Sequence, residues 1–493
     1  MDLGSVIEFL DNKTILVTGA TGYLAKVFVE KVLRVQPNVK KLYLLLRAAD
    51  ANSAMERLNK EVIGKDLFKV LRERYGASLN SFVSEKMTPI PGDISREDLG
   101  IKDSNLRNEM LKDIDVVINF AATTNFDERY DVALGINTLG ALHVLNFAKK
   151  CLKIRMLVHV STAYVCGEDT GLILEKPFPM GEGKKGNSKI DIEEEKKLVQ
   201  EKLNELESEN ASEKEITAIM KDFGIERARA LGWPNTYVFT KAMAEMLLVH
   251  MKENLPLLII RPTMITSTYK QPFPGWIEGV RTIDSVIVGY GKRKITCFVS
   301  SPRSILDVIP ADMVVNGIIV AMATRYQKQS SEIIYQIGSS LRNPLKFSNI
   351  HDFAYRYFSA NPWIDKEGSP VKIGKGIVLS SMTSFHMYMA VCFQLPLKAF
   401  ELATILVLKE YQDKYRLLDR KVKLVQRLVD LYKSYLFFEG IFDDTNLEKL
   451  RTEARLRSLE VEEMDEFNFD PTTIDWEDYM MGVHIPGLVK YTM

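Results

Sequence analysis

The sequence predicts an α/β fold: a doubly wound parallel sheet with a helical insertion, followed by a C-terminal, mainly helical domain. Short apolar segments alternate with segments whose apolar residues recur at helical spacing, as in parallel strands covered by helices on both faces. A glycine-rich turn separates the first strand from the first helix. Beyond about residue 350 the alternation stops and charged helical segments follow. We therefore expect two domains, residues 1–350 and residues 351–493.

The composition restricts the class of protein. The 493 residues suffice for two or three domains, and a hydrophobic content of 46% excludes global disorder. The 65 basic residues balance 65 acidic ones, which argues against bulk nucleic-acid binding. Neither a CxxC pair nor two histidines at i+3 or i+4 spacing occurs, so we expect no disulfide scaffold and no metal site. The four cysteines are Cys151, Cys166, Cys297 and Cys392.

The first elements form a βαβ unit. Residues 14–18 are a short apolar, β-branched run that predicts a strand, and a glycine turn follows it. Residues 23–35 carry apolar side chains at helical spacing, and residues 42–46 predict the second strand. The alternation then continues with strands at 86–91, 115–120, 156–160 and 257–261 and helices at 131–150 and 237–253.

A charged stretch interrupts this alternation at about residues 181–230. We interpret it as a helical insertion, which is either a solvated surface excursion or a lid over a substrate. Within it, residues 190–222 have apolar side chains on one helical face. These are Ile192, Val199, Leu203 and Leu206.

The glycine turn predicts a dinucleotide site. Gly19 permits a sharp turn, and Gly22 lets the backbone approach a pyrophosphate, which the N–H groups and dipole of the following helix attract. Ala25 replaces the usual third glycine and still allows close packing of the helix. Arg47 follows the second strand, and its guanidinium suits a 2′-phosphate, so we predict NADPH. Alternatively, Arg47 is a surface arginine and Asp50 is an acid that would favour NAD.

A second constellation predicts proton transfer. Tyr237 and Lys241 stand at i and i+4 on one helical face, where an ammonium would lower the pKa of a phenol and make it a proton donor. Thr162 and Ser161 follow the strand at 156–160, at the edge of the sheet where ligands bind. Either hydroxyl could donate to a substrate carbonyl oxygen. A plain helix-surface pair and a plain strand cap are the alternatives.

In combination these motifs resemble the extended short-chain dehydrogenase/reductase superfamily, whose central sheet is a Rossmann sheet. The segments that carry the resemblance are 18–22, 92–94, 119–122, 137–140, 160–162, 237–241, 261–262 and 307–310. The resemblance implies that Thr162, Tyr237 and Lys241 are catalytic and that Asn137 supports the active-site helix. Together, the glycine turn, Arg47 and the resemblance predict one set of cofactor-binding residues. These are Gly19, Thr21, Gly22, Tyr23, Leu24, Arg47, Asp93, Ile94, Asn119, Ala121, Tyr237, Lys241, Pro262 and Thr263.

Nearly the whole chain is similar to plant alcohol-forming fatty acyl-CoA reductases. The similarity is carried by 126–131, 136–140, 232–237, 272–276 and 437–444, and the C-terminus resembles the family's male sterility domain. The resemblance implies that a long-chain or very-long-chain acyl-CoA is reduced by NADPH to a primary alcohol. Two hydride transfers through an aldehyde are implied, in wax- or suberin-type lipid synthesis.

The segment 376–397 contains no charged residue. It is long enough to span a bilayer, but polar residues and Pro396 interrupt it, so a core helix, the lining of a substrate tunnel or an interfacial lipid contact fits better. No signal or transit peptide is visible, and the resemblance implies association with the cytosolic face of the endoplasmic reticulum. We expect a fatty acyl-CoA substrate, peripheral lipid contact and no nucleic acid.

Three other functions share these motifs. An NAD-dependent sugar-nucleotide epimerase or dehydratase has the same cofactor residues, although the insertion and the helical C-terminus argue against it. A non-catalytic NADP-binding scaffold would need no Tyr237 hydroxyl. An aldehyde-releasing reductase would stop after one hydride transfer.

Overall fold

A seven-stranded parallel sheet organises the protein. The computed structural model describes residues 6–186, 188–301, 304–327, 334–406, 411–457 and 465–492. The strands of the sheet are β1 (Thr14–Thr18), β2 (Lys41–Leu46), β3 (Met87–Pro91), β4 (Val116–Asn119), β5 (Met156–Val160), β6 (Leu257–Pro262) and β7 (Ile334–Ile337). They lie in the order β3-β2-β1-β4-β5-β6-β7, so the chain reverses its direction of progress between β1 and β4. Ligands bind in the crevice at such a reversal.

The helices cover both faces of this sheet and build the remainder of the chain. The α-helices are α1 (Val6–Leu10), α2 (Tyr23–Val35), α3 (Ala51–Arg57), α4 (Lys69–Tyr75), α5 (Leu79–Lys86), α6 (Ser104–Asp113), α7 (Tyr130–Ala133), α8 (Gly140–Lys150), α9 (Ile192–Ser208), α10 (Glu213–Leu231), α11 (Thr236–Met251), α12 (Thr282–Gly291), α13 (Ala311–Gln327), α14 (Phe347–Ala360), α15 (Met382–Met389), α16 (Leu395–Leu406), α17 (Gln412–Leu436), α18 (Thr445–Arg457), α19 (Trp476–Tyr479) and α20 (Ile485–Thr492). Strand β1 is buried along its whole length because helices pack on both of its faces.

The predicted elements agree closely with this architecture. The strands predicted at 14–18 and 156–160 and the helix predicted at 23–35 have the bounds of β1, β5 and α2. The helix predicted at 131–150 is instead divided, because a wider π-helical turn at Leu134–Leu139 separates α7 from α8.

The predicted insertion is a pair of helices, α9 and α10. Ile192, Val199 and Leu206 of α9 are buried, as their spacing predicts. A buried hydrogen bond fastens the pair to the main domain, because the Tyr130 hydroxyl donates to Glu195 Oε2 at 2.7 Å. Both helices of the insertion contact α7.

The C-terminal part is interleaved with the sheet domain. The short strand Ile377–Leu379 pairs with Cys297–Val299, and Gly440–Phe442 pairs with Gly171–Ile173. Residues from α19 and α20 share one apolar core with β1 and α2. The C-terminal helices α19 and α20 therefore belong to the same core as the first βαβ unit.

The uncharged segment 376–397 does not form one helix. It is divided into Ile377–Leu379, α15, a π-helical turn at Ala390–Gln394 and the start of α16. Phe385 and Met389 are buried, whereas Met387 is 65% exposed and Phe393 is 39% exposed. Among the described residues, no helix has the length and apolar character needed to cross a bilayer.

Candidate active site

The glycine turn between β1 and α2 passes close to the backbone after β4 and ends at an uncapped helix N-terminus. Gly19 has a φ of +66°, and a Cβ at this position would lie 2.7 Å from the backbone of Ala121. The Gly22 N–H donates to the Gly19 carbonyl at 2.8 Å, and no side chain caps the N-terminus of α2. The uncapped N-terminus fits a pyrophosphate, which would accept hydrogen bonds from its N–H groups.

The side chains of Tyr23 and Leu24 point into the core. The Tyr23 hydroxyl donates to the carbonyls of Thr266 at 2.9 Å and Trp276 at 3.1 Å, and its ring stacks on that of Trp276. Burial raises the pKa of Tyr23 well above its ordinary value. These two predicted cofactor residues therefore offer their backbone to a ligand, whereas Thr21 is half-buried beside the exposed Gly22.

The end of β2 carries an exposed cation. Arg47 follows β2 directly and is exposed. Asp50, the alternative acid, is occupied as the N-cap of α3, because its carboxylate accepts from the Ser53 N–H at 2.8 Å. Of the two side chains, Arg47 is the one left available to a ribose or its phosphate.

The loop after β3 has a defined shape. The Asp93 carboxylate accepts from the Ser95 N–H at 2.9 Å, and the Asp93 N–H donates to the Leu99 carbonyl at 2.7 Å. Ile94 is buried against Gly140, where a Cβ would lie 2.8 Å from the Ile94 Cδ1. Asp93 is half-buried and follows β3, at the carboxyl edge of the sheet.

The end of β4 links the glycine turn to the neighbouring strand. The buried Asn119 accepts from the Thr18 hydroxyl at 2.6 Å and from the Ala121 N–H at 3.2 Å through its Oδ1. Its Nδ2 lies 3.2 Å from Nδ1 of His159 on β5. Asn119 and Ala121 therefore stand at the centre of the crevice, between β1 and β5.

Thr162 and Tyr237 meet across the crevice. A hydrogen bond from Thr162 and the charge of Arg281 each lower the pKa of Tyr237, but burial outweighs both and raises it to about 12. The Thr162 Oγ1 also accepts from the Tyr164 N–H at 3.3 Å, which orients it. The neighbouring Ser161 hydroxyl is buried and without a hydrogen-bond partner among the described side chains. Tyr237 thus keeps its proton at neutral pH.

The Lys241 amino group contacts the end of β5. Its Nζ donates to the Val160 carbonyl at 2.8 Å and lies 3.1 Å from Nε2 of His159. Burial lowers the pKa of Lys241 to about 8, although Glu245 raises it. The predicted lowering of the Tyr237 pKa by Lys241 is not observed here, since the charge that acts on the phenol is that of Arg281.

The remaining predicted residues border the same crevice. Pro262 ends β6, and the N–H of the buried Thr263 donates to the Ile337 carbonyl at 3.0 Å. Asn137 donates to the Thr240 hydroxyl of α11 at 3.0 Å and accepts from the Thr123 N–H at 2.9 Å. Asn137 therefore ties α11, which carries Tyr237 and Lys241, to the loop after β4.

Sequence reasoning missed several residues around Tyr237. Phe126 stacks on Tyr237 and also contacts Tyr432 and Tyr435 of α17. The Tyr435 hydroxyl accepts from Asn235 Nδ2 at 2.9 Å. Phe126 belongs to a segment that resembles the reductases, but no pattern in the sequence brings α17 to it, because the two are separated by about 300 residues.

Comparisons with known proteins agree with this geometry. A family model for an NAD-binding domain, described as male sterility protein, matches residues 17–318, and a second with the same description matches residues 392–493. The chain is 58% identical to the alcohol-forming fatty acyl-CoA reductase of Simmondsia chinensis, with 100% of this chain and 99% of that protein covered. It is 54% identical to fatty acyl-CoA reductase 1 of Arabidopsis thaliana, with 99% of each covered. The chain belongs to the fatty acyl-CoA reductase family.

Solved structures confirm the fold class. The terminal R domain of the myxalamid biosynthetic pathway superposes with a TM-score of 0.57 at 17% identity, covering 97% of this chain and 91% of that one. A reductase domain of a non-ribosomal peptide synthetase from Mycobacterium tuberculosis gives the same TM-score of 0.57 at 15% identity, covering 99% and 96%. The predicted Rossmann sheet and the family resemblance are both confirmed, and the reductase is an oxidoreductase built for a nicotinamide cofactor.

Proposed function

We propose that this reductase converts a long-chain or very-long-chain fatty acyl-CoA to a primary alcohol with two molecules of NADPH. The convergence of Thr162, Tyr237 and Lys241 at the crevice beside the glycine turn is the observation that carries the proposal. The names of the relatives supply the substrate class, and the side chains supply a chemistry that fits it. A thioester needs four electrons to become an alcohol, so two hydrides are consumed through an aldehyde.

The polar residues act on the carbonyl oxygen. When bound, the nicotinamide cofactor supplies one hydride to the thioester carbon and a second to the aldehyde carbon. Thr162 and Tyr237 donate hydrogen bonds to the oxygen on which negative charge develops. Because the pKa of Tyr237 is about 12, its phenol is protonated at neutral pH and can transfer a proton to that oxygen. The hemithioacetal formed by the first transfer then collapses: its C–S bond breaks, its hydroxyl proton leaves with the sulfur as free coenzyme A thiol, and the aldehyde remains.

NADPH as the cofactor is supported by the end of β2. Arg47 is exposed there, while Asp50 is engaged as a helix cap. A guanidinium can bind a 2′-phosphate through two hydrogen bonds, whereas an acid at this edge would bind the free 2′-hydroxyl of NADH.

We infer that the aldehyde stays bound between the two reductions, because a cluster of aromatic side chains begins at the ring that stacks on Tyr237. Tyr164, Tyr435, Phe438 and Phe442 form edge and stacked contacts next to the ring of Phe126. An alkyl chain that packs against these rings removes apolar surface from water at both stages of the reaction. We expect little free aldehyde during turnover.

We also infer that helices α15, α16 and α17 contact a lipid surface, and we propose that this surface is the cytosolic face of the endoplasmic reticulum. Leu424 of α17 is 55% exposed, and Leu395 and Leu402 of α16 are each 60% exposed. Helix α17 carries seven basic and three acidic residues, so its apolar side chains lie among cations that anionic headgroups attract.

Expression in a microbial host followed by lipid extraction tests the proposed reaction. The parent chain should yield primary alcohols, and Tyr237→Phe should yield none while it still binds NADPH. Accumulation of aldehyde would identify an aldehyde-releasing reductase. If the parent bound NADPH but made no lipid product, the protein would be a binding scaffold. The lengths of the alcohols would report the acyl chains that the site accepts, and with them a role in wax- or suberin-type lipids.

A further inference from the structure

A buried row of hydrogen bonds ends at Lys241. At its other end a backbone N–H is the donor, which determines the donor and acceptor of the bonds that follow. The row runs from the Ala121 backbone through Asn119 and His159 to the Nζ of Lys241. Asn119 and Lys241 are 1% exposed, and so is His159. The proposed reaction uses Lys241, but nothing in it so far requires His159.

The backbone determines how Asn119 is oriented. A backbone N–H can only donate, so the atom 3.2 Å from the Ala121 nitrogen must be the Asn119 oxygen. The Thr18 hydroxyl, at 2.6 Å from the same oxygen, is a suitable second donor. The Asn119 amide nitrogen therefore faces His159 and donates to its Nδ1 across 3.2 Å.

This orientation selects one tautomer of His159. Burial and the Lys241 charge lower the pKa of His159 well below its ordinary value, so its ring is neutral and carries one N–H. Since Nδ1 accepts from Asn119, that hydrogen is on Nε2. The Nε2–H then points at the Lys241 nitrogen, 3.1 Å away.

A donor aimed at Lys241 favours its neutral amine. The amine nitrogen has a lone pair that can accept from Nε2–H, and it can still donate to the Val160 carbonyl at 2.8 Å. An ammonium has no lone pair, so its N–H groups could not accept the Nε2–H hydrogen of His159 and would be repelled by it. The other charged groups near Lys241 are on its own helix and β6: Glu245, one turn further along α11, and Arg261, whose Nε lies 3.1 Å from Glu245 Oε1. Tyr237 lies one turn earlier on α11.

We propose that His159 is a positioning residue: held as its Nε2–H tautomer by Asn119, it orients Lys241 and sets the pH at which Lys241 gains a proton. The inference rests on the proposed function, in which Tyr237 must be reprotonated after each of two reductions. A lysine that gains and loses its proton close to neutral pH is suited to returning a proton to Tyr237 twice for each alcohol formed. An ordinary lysine would stay an ammonium throughout.

The tautomer can be measured without any reaction. In protein labelled with ¹⁵N-histidine, two-bond proton–nitrogen correlations distinguish an Nε2–H ring from an Nδ1–H ring, and loss of a signal in His159→Phe assigns it. We expect the Nε2–H tautomer at neutral pH. An Nδ1–H ring or an imidazolium at His159 would overturn the proposal.

Asn119→Asp tests the consequence for Lys241. A carboxylate accepts from Nδ1–H, so it reverses the tautomer and turns the Nε2 lone pair toward the ammonium. In a plot of kcat/KM against pH, the inflection caused by protonation of Lys241 should then move to higher pH by about one unit. The added charge alone could cause some shift, so the same change is repeated with His159→Phe already present. A shift of equal size in both backgrounds contradicts a role for His159.

These measurements separate the two proposals. If the parent chain reduced no acyl-CoA yet showed the Nε2–H tautomer, the proposed function would fail while the assignment of the row held. If it reduced acyl-CoA with the opposite tautomer, only the role of His159 would be lost.

Discussion

The ring of Phe126 stacks on that of Tyr237, with centroids 5.4 Å apart and planes inclined by 18°. Phe126 also lies 5.1 Å, between centroids, from Tyr435 of α17. The neighbouring Asp127 accepts from Arg427 of the same helix at 2.6 Å, so α17 holds the loop at both residues. Helix α17 thus carries the aromatic side chains that contact Phe126 and also exposed leucines such as Leu424.

Phe126→Ala should weaken binding of long acyl chains. Loss of a stacked ring costs on the order of 1 kcal/mol beyond its area, so KM for palmitoyl-CoA should rise about tenfold while KM for butyryl-CoA changes little. Steady-state kinetics with both substrates checks this. Phe82→Ala is the control, because Phe82 stacks on Tyr75 at 4.1 Å between α4 and α5. An equal rise for both substrates would show that Phe126 only supports the fold.

Arg47→Ala should change cofactor preference. Removing a guanidinium that binds a phosphate through charge-assisted hydrogen bonds should raise KM for NADPH about tenfold or more and leave that for NADH nearly unchanged. The ratio of kcat/KM for the two cofactors measures the effect. Asp50→Ala is the matched control: it removes the α3 cap and should lower stability slightly without altering the ratio. Equal losses for both cofactors would refute the NADPH assignment.

Local sequence patterns predicted the core of the fold. The strand, glycine turn and helix at 14–35 are encoded by neighbours in sequence, and so are the buried runs of β4 and β5. Strand β7 was missed because it has only four residues and lies beyond the last helix and strand, at 237–253 and 257–261, in which we recognised the alternation. The π-helical turn at Leu134–Leu139 was also missed, since it inserts a residue without changing the helical spacing on either side.

The candidate site was predictable in its residues and less so in its contacts. Spacing placed Tyr237 and Lys241 on one helical face, but it could not show what faces them from other elements. The direction of Lys241 is decided by the Val160 carbonyl and His159 on β5, which only the packing of α11 on the sheet brings near. The contribution of Arg281 to the Tyr237 pKa likewise depends on where the N-terminus of α12 lies relative to α11.

The lipid-contact proposal predicts that leucines of α17 support vesicle binding. Leu424→Ser together with Leu428→Ser should reduce co-flotation with phosphatidylserine-containing vesicles severalfold, because each change removes apolar area that would enter the interface. Binding of the parent to these vesicles should weaken as salt is added, because salt screens the attraction between the basic residues of α17 and the anionic headgroups. Leu152→Ser is the control, because Leu152 is 78% exposed and lies outside these helices, after α8. Unchanged flotation of the double variant would place the lipid contact elsewhere.

Lys241 should cost the protein stability at neutral pH. Its pKa falls from 10.5 in the unfolded chain to about 8 in the folded one, so between these values the unfolded state binds more protons and stability rises with pH. A shift of this size corresponds to about 3 kcal/mol. The free energy of unfolding of the parent, compared with that of Lys241→Met, should therefore increase by up to this amount from pH 7 to pH 10.5.

Urea unfolding at several pH values measures that difference, and groups common to both proteins cancel in the comparison. Lys241→Met should also lose most of its reductase activity, so the residue is retained for the reaction at the expense of stability. A difference that stays constant across this pH range would mean that Lys241 titrates normally in the folded protein. The buried row from Ala121 to Lys241 would then have no influence on its proton.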